Sequence, residues 1–159
     1  MTESTPASGT VKAPQQRYWE DLVTDDELHS TGITITEAHL VNWAGLTGDI
    51  VQFHINDDYA ASTPFGERIA HGPLTLSISL GLVTQLGYFG NVVAWLGLDE
   101  VRATRPIVIG DTIYARAVVR EARTTSKPEN GVWTIDYSTV NQRDEVVMTF
   151  TSSFLVRRR

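Results

Sequence analysis

The chain has 159 residues, of which 42% are hydrophobic and 20% charged, and its formal net charge is −6. This length and apolar content suit one domain with its own core rather than a disordered polyelectrolyte. The acidic balance argues against a nucleic-acid-binding protein, and the absence of cysteine excludes disulfides, thiolate metal sites and a cysteine nucleophile.

Residues 1–16 are rich in Ser, Thr, Pro, Ala and Gln and are expected to form a flexible tail. They lack the apolar run of a secretory signal. No apolar stretch in the chain reaches the roughly 18 residues that a membrane span needs. We therefore expect a cytoplasmic protein without a membrane partner, in which residues 17–159 form a single folded domain.

The first half of this domain is predicted to be mainly helical. A short strand is predicted over residues 31–35, followed by Thr36 as the N-cap of a helix with Glu37 in its first turn. Gly48 stands where the C-terminus of that helix favours glycine. A second, short helix is predicted over residues 57–62.

The longest predicted helix spans Pro73–Gly87. Leu74, Ile78, Leu82 and Leu86 recur at four-residue spacing, and further apolar residues widen this stripe. Little of the circumference is left polar, so we expect the helix to be buried on nearly all sides. Proline suits the first turn, where its missing N–H has no intrahelical acceptor.

The second half is predicted to be strands. The predicted strands are Val92–Pro106, Thr112–Arg123, Val132–Asn141 and Val146–Val156. The loops between them are short, which favours antiparallel pairing. One very apolar helix packed on a four- or five-stranded antiparallel sheet predicts an α+β fold.

Two proton-transfer groups and a helix start lie between Gly48 and Gly72. Asp49 and His54 are five positions apart after the first helix, and the pair His71-Gly72 opens the longest one. Adding water to a carbon–carbon double bond needs a base, an acid and a donor for the developing negative charge. The candidate catalytic groups are therefore Asp49, His54 and the backbone N–H of Gly72, at the positive end of the helix.

Several segments occur in one order along the chain: Leu46-Thr47-Gly48-Asp49, His54, Asp58-Tyr59-Ala60, Ile69-Ala70-His71-Gly72 and Arg105-Pro106-Ile107-Val108-Ile109-Gly110-Asp111-Thr112. In this order and spacing they resemble the MaoC-like dehydratase family, in particular its (R)-specific enoyl-CoA hydratases. The resemblance covers Tyr18 to Val156. It implies a hot-dog fold, in which an antiparallel sheet wraps around a long central helix, here Pro73–Gly87.

The resemblance also implies an activity. Asp49 and His54 would hold one water on the same face of an enoyl-CoA, and the Gly72 amide would bind the thioester oxygen. The product would be a (R)-3-hydroxyacyl-CoA, or the reaction would run in reverse. An acyl-CoA thioester would be the partner, bound near the interface of a homodimer paired edge to edge or of a higher homo-oligomer of such dimers. No cofactor would be needed beyond the coenzyme A of the substrate.

One departure from the family pattern lies between the two catalytic candidates. The usual motif reads Gly-Asp-x-Asn-Pro-x-His, and here Val51 and Gln52 occupy the Asn and Pro positions. The usual Asn and Pro shape that loop. Gln52 and Asn56 are the candidates for replacement hydrogen bonds.

Each candidate also has a structural interpretation. Asp49 alone could stabilise a turn after Gly48, and His54 alone could be a hydrogen-bonded core histidine. For His71 we favour a structural role, in the pocket wall or as a cap of the central helix. His29 and His39 belong to no motif and are expected to be exposed.

Other site classes fit the sequence less well. Asp49, His54 and His71 could supply three metal ligands, but they lack the i, i+4 pairing of zinc motifs on one helix, so we expect no metal. Neither a phosphate-binding loop nor a Gly-x-Ser-x-Gly elbow is present. The alternative function is a hot-dog acyl-CoA thioesterase or a non-catalytic acyl-CoA-binding protein, neither of which needs the Asp-x4-His pair.

The acyl group stays open at this point. Five aromatic residues are candidates for either the pocket or the core: Trp43, Phe53, Tyr88, Phe89 and Trp95. Candidate cations for the phosphates of coenzyme A are Arg68, Arg102, Arg105, Lys127 and the terminal residues 157–159, and none of them is assigned.

Overall fold

A computed structural model describes residues 17–159, so the expected tail over residues 1–16 lies outside the described residues. The strands are β1 Glu27–His29, β2 Ile33–Thr34, β3 Val92–Ala103, β4 Thr112–Thr124, β5 Asn130–Asn141 and β6 Val146–Arg157. The helices are α1 Glu37–Thr47, α2 Gln52–Ile55, α3 Asp57–Ala61 and α4 Gly72–Thr84, with 3-10 turns at Trp19–Asp21 and Tyr88–Asn91. No helix within residues 17–159 is both long enough and apolar enough to cross a membrane.

The six strands form one antiparallel sheet in the order β1-β4-β5-β6-β3, with β2 also paired to β4. The prediction of four or five strands was short by β1, a three-residue strand in which only Leu28 is buried. So short a strand carries little alternation. Strand β3 stops at Ala103 rather than Pro106, since a proline has no N–H to donate to the ladder. The predicted strand over residues 31–35 is reduced to Ile33–Thr34.

Helix α4 packs against the inner face of the sheet and forms the main core with it. Leu82 and Val83 of α4 meet buried side chains of β4, β5 and β6, among them Val119, Ile135 and Phe150. This is the α+β arrangement expected from the sequence, a sheet wrapped around a central helix.

The central helix is shorter than predicted at its C-terminal end. It ends at Thr84 rather than Gly87, because the amides of Leu86 and Gly87 bond to carbonyls three residues earlier, at 3.1 and 3.2 Å. Gly87 then adopts a left-handed conformation with φ of 83°, which only glycine takes at low cost. At the other end the helix begins at Gly72, one residue before the predicted start.

The expectation that α4 is buried on nearly all sides is wrong for the single chain. The fully buried positions include two hydroxyl residues, Thr75 and Ser79, while Leu76, Ile78 and Leu80 stay half-buried. The hydroxyl of Ser79 donates to the Thr75 carbonyl at 2.8 Å, and its oxygen lies 2.6 Å from the Thr139 hydroxyl of β5. These hydrogen bonds allow polar groups to face the sheet.

The ends of α1 agree with the sequence. Thr36 is the N-cap, and its N–H donates to Nδ1 of His39 at 2.9 Å. His39 is therefore half-buried, and the expectation that it is exposed was wrong, whereas His29 is exposed. Gly48 ends the helix with φ of 75° and donates to the Ala44 carbonyl at 2.9 Å. This left-handed residue turns the chain so that Asp49 leaves the helix axis.

The N-terminal turn packs against the far end of the sheet. Indole Nε1 of Trp19 donates to the Val132 carbonyl at 3.2 Å, and Nε1 of Trp133 donates to the Trp19 carbonyl at 3.0 Å. The Trp19 ring lies where a side chain at Gly131 would project, and the Arg158 guanidinium covers it at 5.0 Å. Gly131, at the start of β5, therefore has to be a glycine, because the Trp19 ring lies too close for a side chain.

Candidate active site

The loop between Asp49 and His54 keeps a helical turn despite its altered sequence. Val51 is the N-cap of α2, and Gln52 occupies its first position, where the usual proline would also fit. The Asn56 side-chain amide donates to Oε1 of Gln52 at 2.8 Å. The replacement contact expected from the sequence is present, and it joins the two ends of the turn that carries His54.

His54 presents one defined nitrogen for chemistry. Its ring is buried, and Nδ1 lies 2.7 Å from the carbonyl oxygen of Ile69. Because a carbonyl can only accept, Nδ1 must carry the proton, which leaves the lone pair of the neutral ring on Nε2. The Ile69 amide in turn donates to the Phe53 carbonyl at 3.2 Å. These two bonds join the turn that carries His54 to Ile69 and fix the orientation of the imidazole.

The surroundings of His54 favour its neutral form. Burial is the largest effect and lowers the pKa of His54 below its ordinary value of 6.5, and the neighbouring His71 lowers it further. The Ile69 carbonyl and the charge of Asp49 oppose this shift by stabilising the protonated ring. The net direction is downward, so His54 is a neutral base near pH 7.

His71 joins the other parts of the site. It is fully buried, its Nε2 donates to the backbone carbonyl of Asp49 at 3.0 Å, and its ring stacks on that of His54 at 3.8 Å. Its own carbonyl accepts from the Thr75 amide at 3.1 Å, as the N-cap of α4. Within residues 17–159, Nδ1 of His71 has no hydrogen-bond partner. The structural role expected for His71 is confirmed, and it reaches directly to Asp49.

Gly72 supplies a free amide at the start of the central helix. It is the first residue of α4, so its N–H has no intrahelical acceptor, and the helix dipole makes this end positive. A Cβ built on Gly72 would meet no atom within 4 Å. Gly72 therefore borders open space on its Cα side, and it is one of the residues that line the cavity described below.

The structure brings Asp49, His54 and His71 together. One potential ligand atom from each lies within 4.8 Å of the other two. The Asp49 amide donates to Oγ1 of Thr47 at 3.2 Å, and the half-buried Asp49 carboxylate has no hydrogen-bond partner among the residues described. Two imidazoles and a carboxylate could also hold a transition-metal ion. The absence of a zinc motif on one helix does not bear on this cluster, since the three residues come from separate segments of the chain.

A cavity of about 400 Å³ opens at this site, and of these three residues only His54 lines it; Asp49 and His71 are not among the lining residues. His54 and Gly72 lie in its wall, and the remaining lining is mainly apolar, with Phe53, Phe65, Ile69, Ile107, Val147 and Met148. Of the aromatic candidates, only Phe53 lines this cavity. Trp43, Tyr88 and Phe89 pack against core clusters, and Trp95 is 58% exposed. Phe65 was missed as a lining residue because it lies within a turn, where no periodicity marks it.

Sequence comparisons show which protein family this chain resembles. The family described as MaoC like domain matches residues 21–141. Protein MaoC of Klebsiella aerogenes is 33% identical over 135 residues, which are 79% of this chain but only 40% of that protein. The (R)-specific enoyl-CoA hydratase of Rhodospirillum rubrum is 37% identical over 103 residues, which are 64% of this chain and 69% of the hydratase.

Solved structures show the same fold. The structure described as a monoamine oxidase regulatory protein from Archaeoglobus fulgius has a TM-score of 0.86 at 35% identity and covers 92% of this chain and 98% of that one. A Mycobacterium tuberculosis protein with a double hot-dog fold has a TM-score of 0.81 at 22% identity, over 91% of this chain and 45% of that one, and shows the fold alone. With a hot-dog fold and a family match over most of its length, this chain belongs to the MaoC-like family of dehydratases and hydratases.

Proposed function

We propose that the protein adds water to the double bond of an enoyl-CoA thioester to give a (R)-3-hydroxyacyl-CoA, or catalyses the reverse dehydration. The observation that carries this proposal is the approach of Asp49 and His54 to one another beside a cavity that also contains the first amide of α4. A relative named as an (R)-specific enoyl-CoA hydratase supports the substrate class and the stereochemistry.

The proposed proton transfers use one water. Nε2 of neutral His54 and the Asp49 carboxylate accept its two hydrogens and hold its oxygen toward the β-carbon. As the oxygen bonds to the β-carbon, one water proton passes to Nε2 of His54, and the resulting imidazolium returns a proton to the α-carbon, so that both residues end in their starting forms. The overall change is the addition of H and OH across the double bond. Each positioned acid or base typically contributes about a hundredfold to ten-thousandfold in rate.

Stabilisation of the intermediate charge is assigned to Gly72. Attack at the β-carbon moves negative charge onto the thioester oxygen, which becomes an enolate. The Gly72 N–H, at the positive end of α4, would donate to that oxygen in this proposal, and a glycine lets the thioester approach closely. This chemistry needs no cofactor beyond the coenzyme A of the substrate.

A homodimer is part of the proposal. Strand β3 lies at one edge of the sheet and pairs with β6 alone among the described strands. Its exposed side chains include Val93, Trp95 and Leu96, each more than half exposed. An edge strand with apolar side chains and unpaired backbone groups suits pairing with the same strand of a second copy.

The decisive experiment follows two signals from crotonyl-CoA. Hydration lowers the absorbance of the enoyl-thioester band and releases no thiol. Hydrolysis, the activity of the thioesterase alternative, releases a thiol that a colorimetric reagent detects. We expect the first signal without the second, and the (R) enantiomer on chiral analysis of the product. Thiol release with an unchanged double bond would replace the proposal with hydrolysis.

A further inference from the structure

We propose that Arg105 is the anion-binding residue of the substrate cavity, taking either a phosphate of the thioester carrier or a carboxylate at the end of the acyl group. The inference rests on the proposed thioester substrate and names a recognition residue for it. Arg105 is the one Arg or Lys residue among those that line the cavity containing His54 and Gly72.

Three of the other candidate cations are engaged in ion pairs elsewhere, and the remaining candidates do not line this cavity. Arg68 is only 10% exposed and is paired with Asp57 at 2.6 Å and with Glu37 at 3.1 Å. Arg158 and Arg159 are paired with Glu20 and Asp21 of the N-terminal turn. These pairs tie protein segments together and lie away from the cavity lining.

Arg105, in contrast, is weakly engaged. Its Nη1 lies 3.7 Å from Oε1 of Glu145, beyond hydrogen-bond distance, and its side chain is 57% exposed. Glu145 is held more closely by Asn141 at 2.8 Å and by Nε of Arg143 at 3.0 Å. Most donors of the Arg105 guanidinium are therefore available, and their planar fork matches a phosphate or a carboxylate.

The backbone that carries Arg105 is well anchored. The amide of Thr104 donates to the Val147 carbonyl at 2.9 Å, and its hydroxyl donates to the Val146 carbonyl at 2.7 Å. Pro106 follows directly and restricts the chain. The Arg105 side chain therefore extends from a backbone segment that hydrogen bonds hold in place at the cavity wall.

The other residues that line the cavity offer little to an anionic ligand. The hydroxyls of Thr75 and Thr104 are both used by backbone carbonyls, and most other lining side chains are apolar. The chain as a whole has a net charge of −6, which repels an anionic ligand. A weakly paired guanidinium at the cavity offsets this repulsion.

The test measures equilibrium binding of saturated thioesters, which cannot be hydrated. Butyryl-CoA carries phosphates, succinyl-pantetheine carries a terminal carboxylate, and butyryl-pantetheine carries neither. Dissociation constants are measured by titration calorimetry for the wild type, Arg105→Gln and Arg105→Lys. The matched control is Arg102→Gln, because Arg102 lies three positions away and lines a separate groove with Glu100 and Arg120.

We expect Arg105→Gln to raise the dissociation constant of one anionic ligand about fivefold or more. The dissociation constant of butyryl-pantetheine should rise less than about twofold. Arg105→Lys should bind the anionic ligand more nearly as the wild type does. If only the binding of butyryl-CoA is weakened, Arg105 binds a phosphate. If only the binding of succinyl-pantetheine is weakened, Arg105 binds a carboxylate. Equal weakening of all three ligands, no weakening of any, or the same effect from Arg102→Gln overturns the inference. So does a wild type that binds none of the three.

Failure of the proposed reaction is distinguishable from failure of this inference. A protein that binds these ligands through Arg105 but leaves the double bond of crotonyl-CoA intact keeps the anion site and loses the hydratase assignment. If Arg105→Gln hydrates crotonyl-CoA with an unchanged KM and binds succinyl-pantetheine as well as the wild type does, the proposed reaction stands and the anion site at Arg105 is refuted.

Discussion

Nε2 of His71 donates a hydrogen bond to the backbone carbonyl of Asp49 across 3.0 Å. This bond connects the residue that caps the central helix to the loop that carries the acid of the site. The same imidazole stacks on His54. One buried side chain therefore sets the relative positions of both proposed proton carriers and of the Gly72 amide that follows it.

His71→Phe keeps a ring against His54 but removes the donor to Asp49. We expect kcat to fall about tenfold to a hundredfold, since small displacements of catalytic groups are costly. His71→Gln places an amide N–H at similar reach and should retain more activity than His71→Phe. Steady-state kinetics on crotonyl-CoA checks this order. Equal activities in both variants would show that the hydrogen bond to Asp49 is not what positions the site.

Asp49→Asn and His54→Ala each remove a proposed proton carrier. We expect each to lower kcat for hydration by at least about a hundredfold, while circular dichroism shows a folded protein. The matched control is Asp58→Asn, an exposed acid in α3. Near-normal turnover by either folded variant removes that residue from the mechanism.

Gly72→Val tests the proposed binding of the thioester oxygen. The open space around a Cβ at this position predicts little loss of stability, whereas the side chain enters the path of the thioester. Valine keeps the backbone N–H, but its branched side chain would keep the thioester oxygen from reaching it, and loss of one such contact typically costs about 3 kcal/mol in transition-state binding. We expect a large fall in kcat/KM with a small change in melting temperature.

A matching collapse of activity and melting temperature in Gly72→Val would mean that Gly72 only begins the helix. Activity within a few-fold of wild type would rule out its proposed role at the oxygen. Gly81→Ala is a useful comparison, because Gly81 also has no neighbour within 4 Å of a built Cβ but lies within the helix, outside the cavity lining.

The pH dependence of kcat/KM should reflect His54. Its neutral form is the proposed base, and burial lowers the pKa of His54 below 6.5. Activity should therefore persist as pH falls through 6.5 and be lost only at lower pH. The sign for stability is the same: the unfolded chain takes up this proton first, so the free energy of unfolding decreases as pH falls below 6.5. An acid limb centred above 6.5 would contradict the assignment.

Gly131→Ala should destabilise the fold without touching the site. A methyl group there would lie 2.5 Å from the Trp19 ring, and overpacking of this kind costs about 1–3 kcal/mol. Gly45→Ala is the control, because that position lies within α1 with nothing within 4 Å; it should be neutral or stabilising by about 0.5–1 kcal/mol. Thermal unfolding of the two variants measures the difference. A Gly131→Ala variant as stable as Gly45→Ala would contradict the close packing.

The sequence by itself determined the α+β class, the antiparallel pairing and the order of the main elements. Alternation in β4 and β5 and the leucine spacing in α4 are local patterns, and local patterns follow backbone periodicity. The N-cap at Thr36 and the left-handed Gly48 were likewise readable, because capping depends on a few adjacent residues. The pairing of Asp49 with His54 as one site came from their order and spacing, aided by the family resemblance.

Tertiary structure alone decided what depends on contacts between distant segments. The bond from His71 to Asp49 joins residues 22 positions apart, and the Gly131 approach to Trp19 joins the two ends of the domain, so neither leaves a periodic trace. The half-exposed leucines of α4 were misjudged because composition reports how apolar a helix is and not which of its sides another element covers. The selection of Arg105 required the lining of the cavity and the ion pairs of Arg68, Arg158 and Arg159. Both depend on where the fold brings distant segments together.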